Sequence, residues 1–279
     1  MKKLESLQEF FRYTSLNVLG MIGLSCYILA DTFFVSKGLG TDGLTALNLA
    51  IPIYSFIHGS GLMIGMGGGT KYSILKSQEH HQDANKTFTH AVLLAICFAI
   101  IFVLIGFLFS GTIISLFVEQ GNVFDMSKTY LQVILLFAPA FLMNNVFLCF
   151  VRNDGAPQLS MAAMLGGSFS NIVLDYIFIY PMKMGVAGAA LATIIGQFVF
   201  ATGLAPIISM CILSPHFFKK KNQFHFIKST ISLKTITGIF SSGVPSLVTE
   251  VSSGIVMIVF NTIILNLEGN VGVAAYGVI

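Results

Sequence analysis

Residues 14–36 read TSLNVLGMIGLSCYILADTFFVS, an apolar run with one carboxylate, Asp31, and no basic side chain. A helix needs about 20 mostly apolar residues to cross the hydrocarbon layer of a bilayer. Six more runs qualify, at 44–70, 91–118, 130–150, 158–181, 186–213 and 236–267. Short polar turns separate them, such as Gly38 to Gly43, Gly121-Asn122, Asp154 to Pro157 and Pro181 to Lys183. In lipid each segment must satisfy its own backbone hydrogen bonds, so these runs are predicted as helices. The fold class that follows is an all-α membrane protein.

Composition agrees. Of the 279 residues 55% are apolar and only 10% charged, with a mean hydropathy of +0.84. Soluble proteins carry roughly 25% charged residues, so an ordinary soluble domain is excluded. The first run is of spanning length and lacks a small-residue cleavage site, so it reads as a retained helix. Cys26, Cys97, Cys149 and Cys211 each lie in an apolar run without CxxC spacing. They read as small packing residues inside helices.

Orientation follows from the basic residues. With a cytoplasmic N-terminus, the inner segments hold Lys2, Lys3, Arg12, Lys71, Lys76, Lys86, Arg152, Lys219, Lys220, Lys221, Lys228 and Lys234. The outer segments hold only Lys37, Lys128 and Lys183. Positive charge concentrates on the inner side of plasma-membrane proteins, which places the N-terminus inside. The basic stretch from Lys219 to Lys234 then reads as a cytoplasmic loop, and no nucleic-acid partner is expected.

Three units are predicted: a six-helix transmembrane bundle over 1–214, a cytoplasmic linker over 215–235, and the start of a second bundle over 236–279. The last unit would hold helix seven and the beginning of a truncated helix eight. An internal repeat supports this. At an offset of 229 residues Gly40 falls on Gly269, Gly43 on Gly272 and Ala46 on Ala275. The hydropathy repeats with them: a long helix, a glycine turn, another helix. Parallel repeats are a common plan in transporters.

Three acids lie within the runs: Asp31, Asp175 and Glu250. Such residues are costly in the membrane and usually functional. Asp31 precedes Lys37, and Asp175 precedes Pro181, by six residues each; Thr193 lies seven residues past Val186. A rise of 1.5 Å per residue puts all three roughly 9–11 Å below the outer surface. Tyr27 is one turn from Asp31, and Asn171 one turn from Asp175. Two carboxyls with amide and hydroxyl oxygens at one depth suit a proton or a hard monovalent cation. Glu250 lies near the midplane, in the other half.

The glycines from Gly59 to Gly69 follow no strand, so close helix packing is expected rather than a phosphate loop. His58 beside them is expected to be packed or to line a cavity. Pro139, Pro206 and Pro245 mark expected kinks. No nucleophile–base constellation can be made out, and an enzyme is not expected.

Three stretches are similar to the multi-antimicrobial extrusion (MATE) transporters, in particular their bacterial multidrug-export branch. They are Asp31 to Gly40 followed by Leu44 to Pro52, Asn171 to Asp175, and Met184 to Gly196. The resemblance implies twelve helices in two bundles around a central cavity. It also implies export of amphipathic or cationic drugs in exchange for H⁺ or Na⁺, with no other cofactor. It maps an N-lobe cation-coupling site onto Tyr27, Asp31, Asn171, Asp175 and Thr193, with Asp31 and Asp175 as the candidate Na⁺ ligands. A helix-seven acid that forms a C-lobe cation or substrate site in other relatives matches Glu250. Leu16 stands where some relatives carry a proline. Besides drugs, the lipid bilayer is the partner, and a missing C-terminal half is expected to be needed for function. The rival readings are a lipid-linked precursor flippase of the same superfamily and a non-functional truncated transporter. A flippase is expected to have a cationic cavity, and no basic residue falls within the seven runs.

Overall fold

The computed structural model describes residues 2–198, 226–227 and 232–276. The described residues form seven helices: α1 (Lys2–Ser77), α2 (His81–Ser115), α3 (Asn122–Leu136), α4 (Ala138–Asn153), α5 (Pro157–Ile179), α6 (Gly185–Phe198) and α7 (Leu233–Tyr276). The second half of the sixth run, Cys211, Pro206 and most of the 215–235 linker lie outside the described residues.

The helix ends do not coincide with the membrane spans. A straight α1 would be about 114 Å long at 1.5 Å per residue, against a hydrocarbon layer of about 30 Å. It divides at Gly40, whose φ of 71° and ψ of −162° no helix contains. The expected glycine turn is thus one residue wide. In α7 the same break falls at Gly269, with φ 66° and ψ −157°. Gly40 and Gly269 are the pair that the 229-residue offset superposes, and their backbones agree within 5° in each angle. Positive φ comes readily only to glycine, so both positions require it.

The fourth run also differs from its expectation. It is the bent pair α3–α4, with a 50° angle between the helices. The break lies at Phe137, and Pro139 sits in the first turn of α4, where a proline is tolerated. In α7, by contrast, the only non-helical backbone is at Gly269, not at Pro245. With α1 divided and α3–α4 counted as one, a helix falls on each of the seven runs, on the sixth over its described first part only.

The surface is apolar and the interior partly polar, the pattern of a chain solvated by lipid. Phe33, Ile100, Leu104, Phe107, Phe169 and Ile263 are exposed, whereas Asp31, Asn48, Asn171, Asp175, Thr193 and Asn261 are buried. Of the described cysteines Cys149 is buried as expected of a packing residue, whereas Cys26 and Cys97 are exposed.

Glycine lets helices approach closely. The second arm of α1 uses this on two faces. A side-chain carbon at Gly61, Gly65 or Gly69 would strike Asn145, the Asn145 carbonyl or Asn153 of α4. At Gly59 and Gly67 it would strike Glu250 and the Ile239 carbonyl of α7. The contact is reciprocal, since a carbon at Gly243 would meet the Met63 carbonyl. The packing expected of this glycine-rich run is therefore what the structure uses it for.

At the basic end of the bundle the α4–α5 loop is tied down. Asp154, its side chain 3% exposed, pairs with Lys76 and accepts a 2.7 Å hydrogen bond from the Tyr72 hydroxyl. Lys71 Nζ donates to the carbonyls of Lys234 and Thr235 at the start of α7. The described linker residues dock on α2: Ile227 N–H donates to Thr89 Oγ1 and Ser232 N–H to His90 Nε2.

Candidate functional site

The first arm of α1 and α5 run parallel, with contacts at offsets of 141 to 146 residues. Arg12 bonds Gln158, and the Tyr180 hydroxyl donates to the Phe34 carbonyl; each pair is 146 residues apart. Between them Gly20 faces Met164 and Gly38 faces Ile179. Asp31 and Asp175 are 144 residues apart, within the same range of offsets, and are electrostatic neighbours on the two helices. Both are buried, Asp31 at 7% exposure and Asp175 at 0%.

Around them the remaining predicted residues converge. With the Asn171 amide turned to satisfy both of its ends, its nitrogen donates to Asp175 Oδ2 at 3.1 Å. Its oxygen then accepts from the Thr193 N–H, also at 3.1 Å. Thr193 Oγ1 donates to the Ala189 carbonyl within α6. Tyr27 is an electrostatic neighbour of both carboxylates. One oxygen of each acid, Asp31 Oδ1 and Asp175 Oδ1, has no hydrogen-bond partner among the described residues. Buried polar atoms are normally paired, so two orphaned acceptors in one place stand out. Such oxygens, with the amide and hydroxyl groups nearby, are hard donors suited to a proton or an alkali cation.

Four further residues join this cluster without having been singled out in the sequence. Tyr130 of α3, buried, neighbours both carboxylates. Asn144 Nδ2 donates to Gln197 Oε1 at 3.2 Å, and Gln197 Nε2 to the Tyr54 hydroxyl at 3.3 Å. This chain links α4, α6 and the second arm of α1. The only signal in the sequence is a polar residue inside an apolar run, which does not say which way it faces.

Beside the carboxylates lies a cavity of about 460 Å³. Tyr27, Asn171 and Thr193 form part of its wall, and Asp31 and Asp175 lie behind them. Glu250 lines the same cavity from α7 and is not brought to the two aspartates. His58 lines it as expected. Arg152 lines it too, so one basic side chain reaches the cavity although the residue lies outside the seven apolar runs. Helix α4 extends to Asn153, so Arg152 lies in its last turn, and its guanidinium donates to Asn17 Oδ1 at 2.9 Å. Among the described residues no three His, Cys, Asp or Glu side chains converge as metal ligands.

The MatE family matches residues 18–177 of the chain. The chain is 26% identical over 255 residues to the multidrug export protein MepA of Staphylococcus aureus (strain MRSA252), covering 90% of this chain and 54% of that protein. It thus spans about half the length of the curated relatives it matches. Among solved structures it is similar to the MATE multidrug transporter DinF-BH in complex with the dye rhodamine 6G, with a TM-score of 0.84, 25% identity, and coverage of 95% of this chain and 58% of that one. A second is an inward-facing multidrug resistance MATE family transporter of the MOP superfamily, with a TM-score of 0.78, 29% identity, and coverage of 90% and 56%.

Proposed function

The chain belongs to the MatE family, and from that premise we propose that it forms the N-terminal lobe and helix seven of a plasma-membrane multidrug exporter driven by inward H⁺ or Na⁺. Asp31 and Asp175 are the coupling acids, with Tyr27, Asn171 and Thr193 as their oxygen lining. The N-terminus is cytoplasmic, 1–214 is the first bundle, 215–235 the linker and 236–279 the start of the second bundle. Export is expected to need that second bundle, because one bundle supplies only one wall of the cavity.

The observation that carries the reading is the pair of neighbouring, buried carboxylates with orphaned oxygens behind a shared cavity wall. An uncompensated buried carboxylate is expensive, so the site holds a proton or cation until a route to water opens. Tyr27, Asn171 and Thr193 belong to the carboxylate cluster and to the cavity at once. Cation arrival therefore changes the wall on which a drug rests, and drug binding changes the cation's surroundings. Such coupling is reciprocal. One charge moving through 100 mV contributes about 2.3 kcal/mol, enough for roughly fifty-fold accumulation.

A flippase for an anionic lipid-linked precursor gains one argument, the Arg152 guanidinium in the cavity. Glu250 in the same cavity opposes it, so the exporter is the reading preferred.

The test uses the chain in nanodiscs and the binding of the rhodamine dye held by DinF-BH. The dye should bind, and acidification or added Na⁺ should displace it. In Asp31→Asn Asp175→Asn it should bind without being displaced. Displacement that survives both substitutions would remove the coupling role.

A further inference from the structure

In the wall of the same cavity a second polar group crosses between helices. Asn145 of α4 is 5% exposed, and its Nδ2 lies 3.1 Å from the Phe141 carbonyl and 3.2 Å from His58 Nδ1. The carbonyl accepts only, so this end of the amide must be the NH₂ group. Its second hydrogen then points at His58 Nδ1. A ring nitrogen that accepts cannot carry a proton, so the proton of a neutral ring sits on Nε2. The hydrogen-bond network thereby chooses the tautomer.

The other side of His58 is open. Its Nε2 makes no hydrogen bond among the described residues, and the ring stacks on Tyr54 with centroids 5.7 Å apart. Glu250, on α7, is its electrostatic neighbour. The carboxylate is seated there by Gly59, where an added side-chain carbon would fall 2.8 Å from Glu250 Cβ. Glu250 forms no ion pair or hydrogen bond among the described residues, and both side chains line the cavity. The other charged group lining the cavity is Arg152, held by Asn17; Asp31 and Asp175 do not line it.

We propose that Asn145 is a positioning residue that holds His58 as the neutral Nε2–H tautomer, so that its Nε2–H group and the Glu250 carboxylate together form a substrate subsite. A histidine free to protonate beside Glu250 would neutralise it as an imidazolium–carboxylate pair. Protonation at Nδ1 would instead set a hydrogen against the Asn145 NH₂ group. The subsite therefore presents an acceptor-only carboxylate and a donor-only imidazole across one gap. It fits an organic cation that also carries a hydrogen-bond acceptor, with the charge toward Glu250, the acceptor toward His58 and an aromatic plane on Tyr54. This rests on the reading of the cavity as the drug site, but the state of His58 can be read without any drug.

The experiment is NMR of the chain in nanodiscs with ¹⁵N,¹³C-labelled histidine, the His58 signals being identified by their loss in His58→Gln. The ring should be the neutral Nε2–H tautomer from pH 8 down to pH 6. In Asn145→Ala it should become a tautomer mixture, with an imidazolium fraction that grows toward pH 6. Binding of a fixed-charge cation, the rhodamine dye, should then weaken about ten-fold between pH 8 and pH 6 in the Asn145→Ala Asp31→Asn Asp175→Asn protein, one factor of ten corresponding to about 1.4 kcal/mol. The same protein with Asn145 restored should show no such change, and adding His58→Gln to the variant should abolish it. An Nδ1–H tautomer or an imidazolium at pH 7 in the unaltered chain overturns the inference. So does an Asn145→Ala spectrum like that of the unaltered chain. A correct tautomer with no dye binding would overturn the subsite and the drug-cavity reading while leaving the positioning role of Asn145 in place.

Discussion

Alanine at Gly67 would put a methyl group on the carbonyl oxygen of Ile239, and alanine at Gly243 would put one on the carbonyl of Met63. In both cases the obstacle is backbone, which cannot rotate away like a side chain, so α1 and α7 must move apart. Overpacking of this kind costs about 1–3 kcal/mol, and a backbone obstacle places it near the upper end. Alanine returns about 1 kcal/mol of helix propensity. The expected net loss for Gly67→Ala is therefore roughly 2 kcal/mol. Once the helices have separated the second substitution meets no further obstacle, so the double variant should cost little more than either single one. Gly111 is the control. A carbon there meets only Lys128 Cε, at the ordinary distance of 3.6 Å, so Gly111→Ala should be neutral or stabilising. Unfolding in detergent mixtures measures the stability. A disulfide between Ser55→Cys and Gly254→Cys, without the natural cysteines, measures the separation. The added carbon at Gly254 lies 3.1 Å from Ser55 Cβ, close to the 3.5–4.5 Å typical of disulfides. Crosslinking should be efficient in the parent and fall in Gly67→Ala. Equal stability and equal crosslinking in the two would refute the close-approach argument.

Three further outcomes are expected. Asp154→Asn removes the charge from a buried partner of Lys76 and Tyr72 and should destabilise the chain by about 1–3 kcal/mol, less than a fully buried pair because Lys76 is 26% exposed; a thermal melt measures this. Among exposed positions, cysteine at Lys183 should react with an impermeant maleimide in intact cells and cysteine at Gln78 should not, and the reverse pattern would invert the topology. His90→Leu removes the acceptor of the Ser232 N–H and should speed proteolysis of the linker, measured by limited digestion; an unchanged rate would show that this contact does not anchor it.

The membrane spans were legible because hydrocarbon leaves a chain few options, so an apolar run of sufficient length is a helix whatever it packs against. That Asp31 and Asp175 would be neighbours was legible as well, since counting residues from a helix end places both at a similar distance along parallel helices. The break at Gly40 and its repeat at Gly269 could be suspected only from three identities, because it is backbone geometry that reveals them. What could not be read was direction. Tyr130, Gln197 and Asn144 look alike in the sequence whether they face lipid, a neighbour or the carboxylates. That Arg152 lines the cavity could not be read for a related reason: hydropathy ends a run where the charge begins, whereas α4 continues to Asn153 and the guanidinium reaches Asn17. Tertiary hydrogen bonds decide such cases, and they join residues 53 to 143 positions apart.

Drug efflux from proteoliposomes under an imposed pH or Na⁺ gradient, with the complete two-bundle transporter and its Asp31→Asn variant, tests the central claim most directly. The account predicts that Asp31→Asn inserts normally and binds the rhodamine dye but loses gradient-driven efflux, that Asp175→Asn does nearly the same, and that the double variant adds little because the two belong to one site. Full gradient-driven efflux by Asp31→Asn would contradict it and move the coupling role to Glu250.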